Sequence, residues 1–214
     1  MKGMTERQIR RREDILAAAR KLITERGYDG VNMRDLAKES GVAPKTLYHQ
    51  FESKENLLRT AVEERHRYIY QMIDDEEIEH GIDRLFFIID TVAETTRKNI
   101  AYARALAPIL SARSSTSFAA VRMNTYRKAI NQIADEAEFV DWIDVDMLSA
   151  IIYRQVNPLY LSWWYKQASD IQTASFAKLD TSLILRSVTT GYTHERATET
   201  IREMQGLLKD ATYL

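Results

Sequence analysis

Seven glycines and three prolines are all that 214 residues offer for turns. A β-sandwich or barrel consumes turn residues about every 8 to 12 positions, so this chain is pushed toward helices joined by few, tight breaks. With 45% hydrophobic and 29% charged residues it has enough apolar material for a buried core. The absence of cysteine excludes a disulfide scaffold, a thiolate metal site, a cysteine nucleophile and a thiol redox switch. The longest unbroken apolar run, Ala105 to Leu110, contains Pro108 and falls far short of the ~20 residues that cross a bilayer. The amino terminus, MKGMTERQIRRRED, has no apolar stretch of signal-peptide length behind its charges. No membrane partner is expected, and the expected location is the cytoplasm.

A net charge of −1 conceals an uneven distribution. Residues 1–60 hold 13 Lys and Arg against 9 Asp and Glu, whereas residues 61–214 hold 17 against 22. A basic end on an acidic body is the electrostatic footprint of a nucleic-acid-binding head joined to something else.

The apolar pattern gives the helices. Ile9, Ile15, Leu16, Ala19, Leu22 and Ile23 recur at helical spacing up to Gly27, predicting a first helix over about 7–26. Asn32 is a good N-cap, with Asp35 in the place of a capping-box acid, for a short helix ending near Ser40. Gly41 permits a tight turn and Pro44 suits the first turn of a third helix ending near Gln50. Ser53 caps a fourth, about 54–75, striped by Leu57, Leu58, Ala61, Val62, Ile69, Met72 and Ile73. Further helices are expected at about 82–98, 99–111, 115–138, 145–168, 174–191 and 194–209, with SARSSTS at 111–117 as a polar loop. The expected class is all-α, with a head over 1–55 and a helical body over 56–214.

Two short helices joined by a Gly-containing turn form a helix-turn-helix, whose second helix can enter the DNA major groove. Leu36, Ala37, Val42, Leu47 and Phe51 supply its buried side. Lys45, Thr46, Tyr48 and His49 project elsewhere on the third helix and offer cations and donors suited to phosphates and base edges. Arg10, Arg11 and Arg12 are candidates for a flexible arm into the minor groove, or simply for a solvated charge run.

The stretch from Ile9 to about Thr60 resembles the DNA-binding domain of the TetR (tetracycline repressor) family. The resemblance rests on ILAAARKLITERGYDG, NMRDLAKESGVAPKTLYHQF and FESKENLL, in order and at the family's spacing. It implies that Lys45 and Thr46 face bases or backbone, that Tyr48 and His49 contact phosphates, that Lys54 clamps a further phosphate at the head of the fourth helix, and that Arg34 is a backbone contact. Ala43 stands where a Ser cap is frequent and Lys45 where a small residue is frequent, so the operator sequence cannot be inherited from a relative. The resemblance further implies a small-molecule pocket among helices five to eight and a dimer built on the last long helices.

In the body, Tyr153, Asn157, Tyr160 and Trp164 share one helical face, with Pro158 in their midst. Aromatic walls with a few polar groups suit a small molecule, and lean toward an apolar or aromatic one. The pocket candidates are Phe87, Tyr102, Tyr126, Tyr153 and Asn157. Leu148, Ile151, Ile152, Gln155, Leu159, Ser162 and Trp163 offer one apolar face for a homodimer, and Leu179, Leu183, Ile184 and Val188 another.

The function expected is a dimeric repressor that a small molecule releases from a palindromic double-stranded DNA operator, with no cofactor. An enzyme is the rival from another class. The four histidines, at 49, 66, 80 and 194, form no metal-ligand spacing and no Gly-rich phosphate loop is present, so no catalytic or metal residues are assigned. The acids at 74, 75, 76, 77 and 79 read as a solvated run. A helical interaction module whose head binds protein is the other alternative.

Overall fold

The computed structural model describes residues 5–111, 116–164 and 169–209, with backbone alone for 107–111, 116–118, 160–164 and 170–171. Its helices in chain order are α1 (Glu6–Arg26), α2 (Met33–Glu39), α3 (Pro44–Phe51), α4 (Lys54–Asp75), α5 (Gly81–Lys98), α6 (Ile100–Ser111), α7 (Thr116–Asp135), α8 (Val145–Trp164), α9 (Asp170–Val188) and α10 (Gly191–Leu207). The only β pairing among the described residues is an isolated antiparallel bridge between Phe139 and Thr189. The class is all-α, as the turn-poor sequence required.

The chain divides into two compact units, Met1–Ile69 with Ala101–Ala112, and Tyr70–Ile100 with Arg113–Leu214. In the first unit, α1 opens one residue earlier than its apolar pattern, because Thr5 and Gln8 form a reciprocal capping box. Its stripe of Ile15, Leu16, Ala18, Ala19, Leu22 and Ile23 is buried. Met33, Leu36 and Ala37 of α2, Leu47 and Phe51 of α3, and Leu57, Leu58, Ala61 and Val62 of α4 complete the core. At roughly 25 cal/mol per Å² of apolar surface, each fully buried Leu or Ile contributes about 1.5–3 kcal/mol, far more than the surface ion pairs around it.

The second unit packs α7 against α5 and α8, and α9 against α5, α8 and α10. Gly81 begins α5 directly against α7: a Cβ there would lie 2.5 Å from the Ala129 carbonyl oxygen and 2.8 Å from the Ile133 nitrogen, so only glycine fits. α9 starts at Asp170, four residues before its expected start, because Ser169 and Gln172 form another capping box. α10 starts three residues early because Glu138, in the α7–α8 connection, accepts hydrogen bonds from the backbone N–H of Tyr192 at 2.7 Å and of Thr193 at 2.8 Å. The Glu138 carbonyl accepts a third from the Thr190 N–H at 2.7 Å. α8 runs through Pro158. Lys178 to Asp90 (2.7 Å) and Arg196 to Asp83 (3.0 Å) tie α9 and α10 to α5.

Among the described residues no helix is long and apolar enough to cross a membrane, and no group of three or more His, Asp or Glu could hold a metal ion. The acidic run at 74–79 is partly absorbed by structure: Lys128 pairs with Asp74, and Arg84 donates to the Glu76 carbonyl at 3.0 Å.

Candidate nucleic-acid interface and effector site

The helix-turn-helix is set by local chemistry. Asn32 Oδ1 accepts the Asp35 N–H at 3.0 Å, which starts α2. The expected capping box is half made: the Asp35 carboxylate accepts from Asn32 Nδ2 at 2.8 Å and pairs with Arg26, not with the Asn32 backbone N–H. Gly41 takes φ 64°, a left-handed conformation that reverses the chain without a Cβ clash. The Val42 N–H then donates to the Ala37 carbonyl at 3.0 Å, and Pro44 opens α3 at a position needing no N–H donor. Ala43 gives no side-chain cap, and its carbonyl accepts the Thr46 N–H at 2.9 Å.

Burial divides α3 into two faces. Leu47 and Phe51 are buried, while Lys45, His49 and Tyr48, which is 52% exposed, face solvent. Arg34 on α2 is exposed too, and no side chain among the described residues partners these four. Thr46 is half-buried and its Oγ1 accepts from Arg11 Nη2 at 3.2 Å, which leaves its hydroxyl proton free to donate. Lys54 is half-buried at the first turn of α4, its Nζ 3.8 Å from the Glu55 carboxylate. Helix N-termini favour anions, so this cation adds to a field already suited to phosphate.

The arginine triplet is helical within α1, so it forms no flexible arm. Arg12 pairs with Glu64 of α4 at 2.7 Å and lies over the Phe51 ring at 5.5 Å, fastening the end of α3 to two neighbours. The Glu64 hydrogen bond raises its already high pKa. Asn56 is a second positioning residue absent from the sequence reading. Its N–H donates to Ser53 Oγ at 3.1 Å and its Nδ2 to the Phe51 carbonyl at 2.9 Å. The Ser-x-x-Asn spacing was a legible sign of the cap. Between these anchors Glu52 has φ 66° and ψ −46°, and the Ser53 N–H reaches the Phe51 carbonyl at 2.7 Å. That is a positive-φ γ-turn, a strained conformation for a residue with a Cβ.

In the second unit the structure brings together two of the five effector candidates. Tyr126 on α7 is buried, with its ring 6.0 Å from that of Tyr153 on α8 at 66°. Asn157 is half-buried one turn beyond Tyr153, and Phe87 is half-buried on α5. Tyr102 falls in the first unit, where its buried hydroxyl has no hydrogen-bond partner and desolvation pushes its pKa up to about 12. The side chains of Tyr160 and Trp164 lie outside the described residues, as do those of Ser162 and Trp163. Sequence reading missed Arg122, one turn before Tyr126: it is only 7% exposed, and its guanidinium carbon lies 5.9 Å from the centre of the Tyr153 ring. Burial holds the Tyr126 and Tyr70 hydroxyls well above the usual phenol range, and nearby Arg122 opposes that rise in both.

Of the two apolar faces on α8 and α9, Leu148, Ile152 and Val188 are buried within the unit and so belong to its core. Ile151 (42% exposed), Leu183 (50%) and Met147 (61%) remain on the surface.

Residues 15–61 match the model of the family described as bacterial regulatory proteins, tetR family. The chain is similar to the HTH-type transcriptional regulator UidR of Escherichia coli K12, 28% identical over 88 residues that cover 41% of this chain and 43% of UidR. It is also similar to LmrA of Bacillus subtilis, 43% identical over 65 residues covering 30% of this chain and 35% of LmrA. The matches thus span less than half the length of these curated relatives. In fold it is similar to the regulator FadR of Bacillus subtilis, solved in complex with stearoyl-CoA: TM-score 0.65, 19% identity, 80% of this chain and 96% of FadR. Over its helix-turn-helix the chain is thus similar to the tetR family of bacterial regulatory proteins, and over most of its length it shares the fold of FadR.

Proposed function

We propose that the chain is a sequence-specific transcriptional regulator, a homodimeric repressor that a small molecule releases from a palindromic operator. The observation that carries this is the solvent face of α3: Lys45, Tyr48 and His49 stand exposed and unpartnered on a helix whose other face is fixed by Leu47, Phe51 and Arg12. Exposed, mutually unsatisfied donors on a rigid support are what a phosphate-lined groove requires. Arg34, Lys45, Thr46, Tyr48, His49 and Lys54 are the DNA contacts in this reading. Phe87, Tyr126, Tyr153 and Asn157 remain the proposed effector residues of the second unit. The stearoyl-CoA held by FadR supports a small-molecule effector here. The surface face of Ile151, Leu183 and Met147 supports a twofold interface, which would set two recognition helices about 34–36 Å apart on one side of the duplex. A regulator of this kind works in the cytoplasm and performs no catalysis. Ligand coupling of about 1–3 kcal/mol changes operator affinity by roughly 5- to 150-fold.

The decisive experiment is selection of random duplex DNA by the purified protein. Enrichment of a palindrome with half-sites about one turn apart supports the reading. Recovery of no preferred sequence, with or without candidate ligands, would favour a helical module that binds another protein.

A further inference from the structure

Among the described residues of the second unit, Arg122 is the one buried cation without a carboxylate partner. Its side chain is 93% removed from solvent by the exposure given above, yet its Nε has no hydrogen-bond partner and no described carboxylate pairs with it. The described half-buried Lys and Arg of this unit have partners: Lys178 with Asp90, Arg196 with Asp83, and Arg84 with Gln132 and the Glu76 carbonyl. A guanidinium without an anion is costly to bury, and an aromatic face returns only part of that cost.

Its surroundings are all of one kind. Tyr153 offers a ring face, Tyr126 a buried phenol beside it, and Tyr70 a third phenol from α4. Phenols and a guanidinium supply several donors and, among the described residues, no carboxylate, so the cluster lacks a negative charge to balance Arg122. We propose that Arg122, with the phenols of Tyr126 and Tyr153, forms the polar end of the effector site and binds the carboxylate of an otherwise apolar or aromatic small molecule. A planar carboxylate matches the guanidinium fork in two parallel hydrogen bonds. One cation with no second beside it suits a monoanion better than a phosphate ester. The inference rests on the effector-responsive reading above.

The test uses the full-length protein with two matched pairs of compounds, decanoate with methyl decanoate and 2-naphthoate with its methyl ester. Thermal melting is followed for wild type, Arg122→Met and Arg122→Lys. The acids are expected to bind wild type at least about tenfold more tightly than their esters. That preference disappears in Arg122→Met and survives in part in Arg122→Lys. Without ligand, Arg122→Met is expected to melt with or about 2–4 °C above wild type, because it removes a buried charge that has no partner. This second readout decides the matter even for a protein to which neither pair binds. Equal binding of acid and ester, or a ligand-free Arg122→Met that melts well below wild type, would overturn the proposal. Operator selection by wild type is scored separately: its failure removes the regulator reading while the melting data still judge the anion site.

Discussion

Lys54→Gln gives the sharpest test of the DNA face. The substitution keeps a polar side chain one atom shorter and removes its charge at the first turn of α4. Among the described residues the one ion pair lost is that with Glu55 at 3.8 Å, a loose contact to an exposed carboxylate and of little worth to stability, so melting should move by less than about 2 °C. On DNA the effect is large and has a distinctive form. If Arg34, Lys45 and Lys54 each neutralise one phosphate, a dimer neutralises about six, and log affinity falls against log salt with a slope of about −5.4. Raising salt from 50 to 200 mM then weakens wild type by about 1,800-fold. Lys54→Gln removes two of the six contacts, the slope becomes about −3.6, and the same change weakens it by about 150-fold. Fluorescence anisotropy with the selected operator at four salt concentrations measures both slopes. Parallel lines would refute the reasoning, because they place Lys54 away from phosphate. A large fall in melting temperature would mean that the residue acts through the fold.

Three further outcomes follow from the geometry. Glu52→Gly relieves the positive-φ γ-turn between α3 and α4 and should stabilise the protein by about 0.5–1 kcal/mol in urea titration, a destabilisation showing that the Glu side chain matters more than the backbone strain. Glu136 accepts the Gly81 N–H at 2.9 Å with one oxygen and buries the other without a hydrogen bond, 3.9 Å from His80 Nδ1; burial raises its pKa above 4.5, outweighing the opposing pull of His80. Its raised folded pKa makes the stability it contributes complete below the unfolded value and progressively lost as pH climbs through the folded one. Glu136→Gln should therefore be the more stable protein at pH 7 and indistinguishable from wild type below about pH 4, as monitored by melting across that range; a constant gap at all pH values would contradict the burial argument. Replacing both Ile151 and Leu183 by Asp puts two charges per protomer on the surface apolar face, and sedimentation should report a monomer that still melts cooperatively; a dimer unchanged by it would move the interface elsewhere.

The head was legible because its determinants are local. Gly41, Pro44 and Asn32 act on their immediate neighbours, and the alternation of Leu47 and Phe51 with Lys45, Tyr48 and His49 states which side is wet. Even there, Asp35 turned to Arg26 and Arg12 to Glu64, since a charge within reach of two partners is assigned by tertiary distance, which spacing along the chain does not encode. Boundaries in the body slipped for the same reason at α10, whose start depends on Glu138, but not at α9, where the Ser169–Gln172 signal was present and simply outweighed by apolar periodicity. The effector site was least legible. The family resemblance put Tyr126 and Tyr153 in one candidate pocket, and their rings do meet, but it could not assign Tyr102 to its unit. Arg122, lying in a segment rich in polar residues, gave no local sign that it is buried.

The clamp by which Glu138 holds the start of α10 has a kinetic consequence. Both amides it binds lie 54 or 55 residues further along the chain, so the first turn of α10 has no cap of its own until the α7–α8 connection is in place. α10 should therefore be among the last helices to form and the first to fray, and closing that long loop sets the entropy its docking must overcome. Hydrogen exchange at Tyr192 and Thr193 would then report, from two amides, on the assembly of a whole end of the bundle.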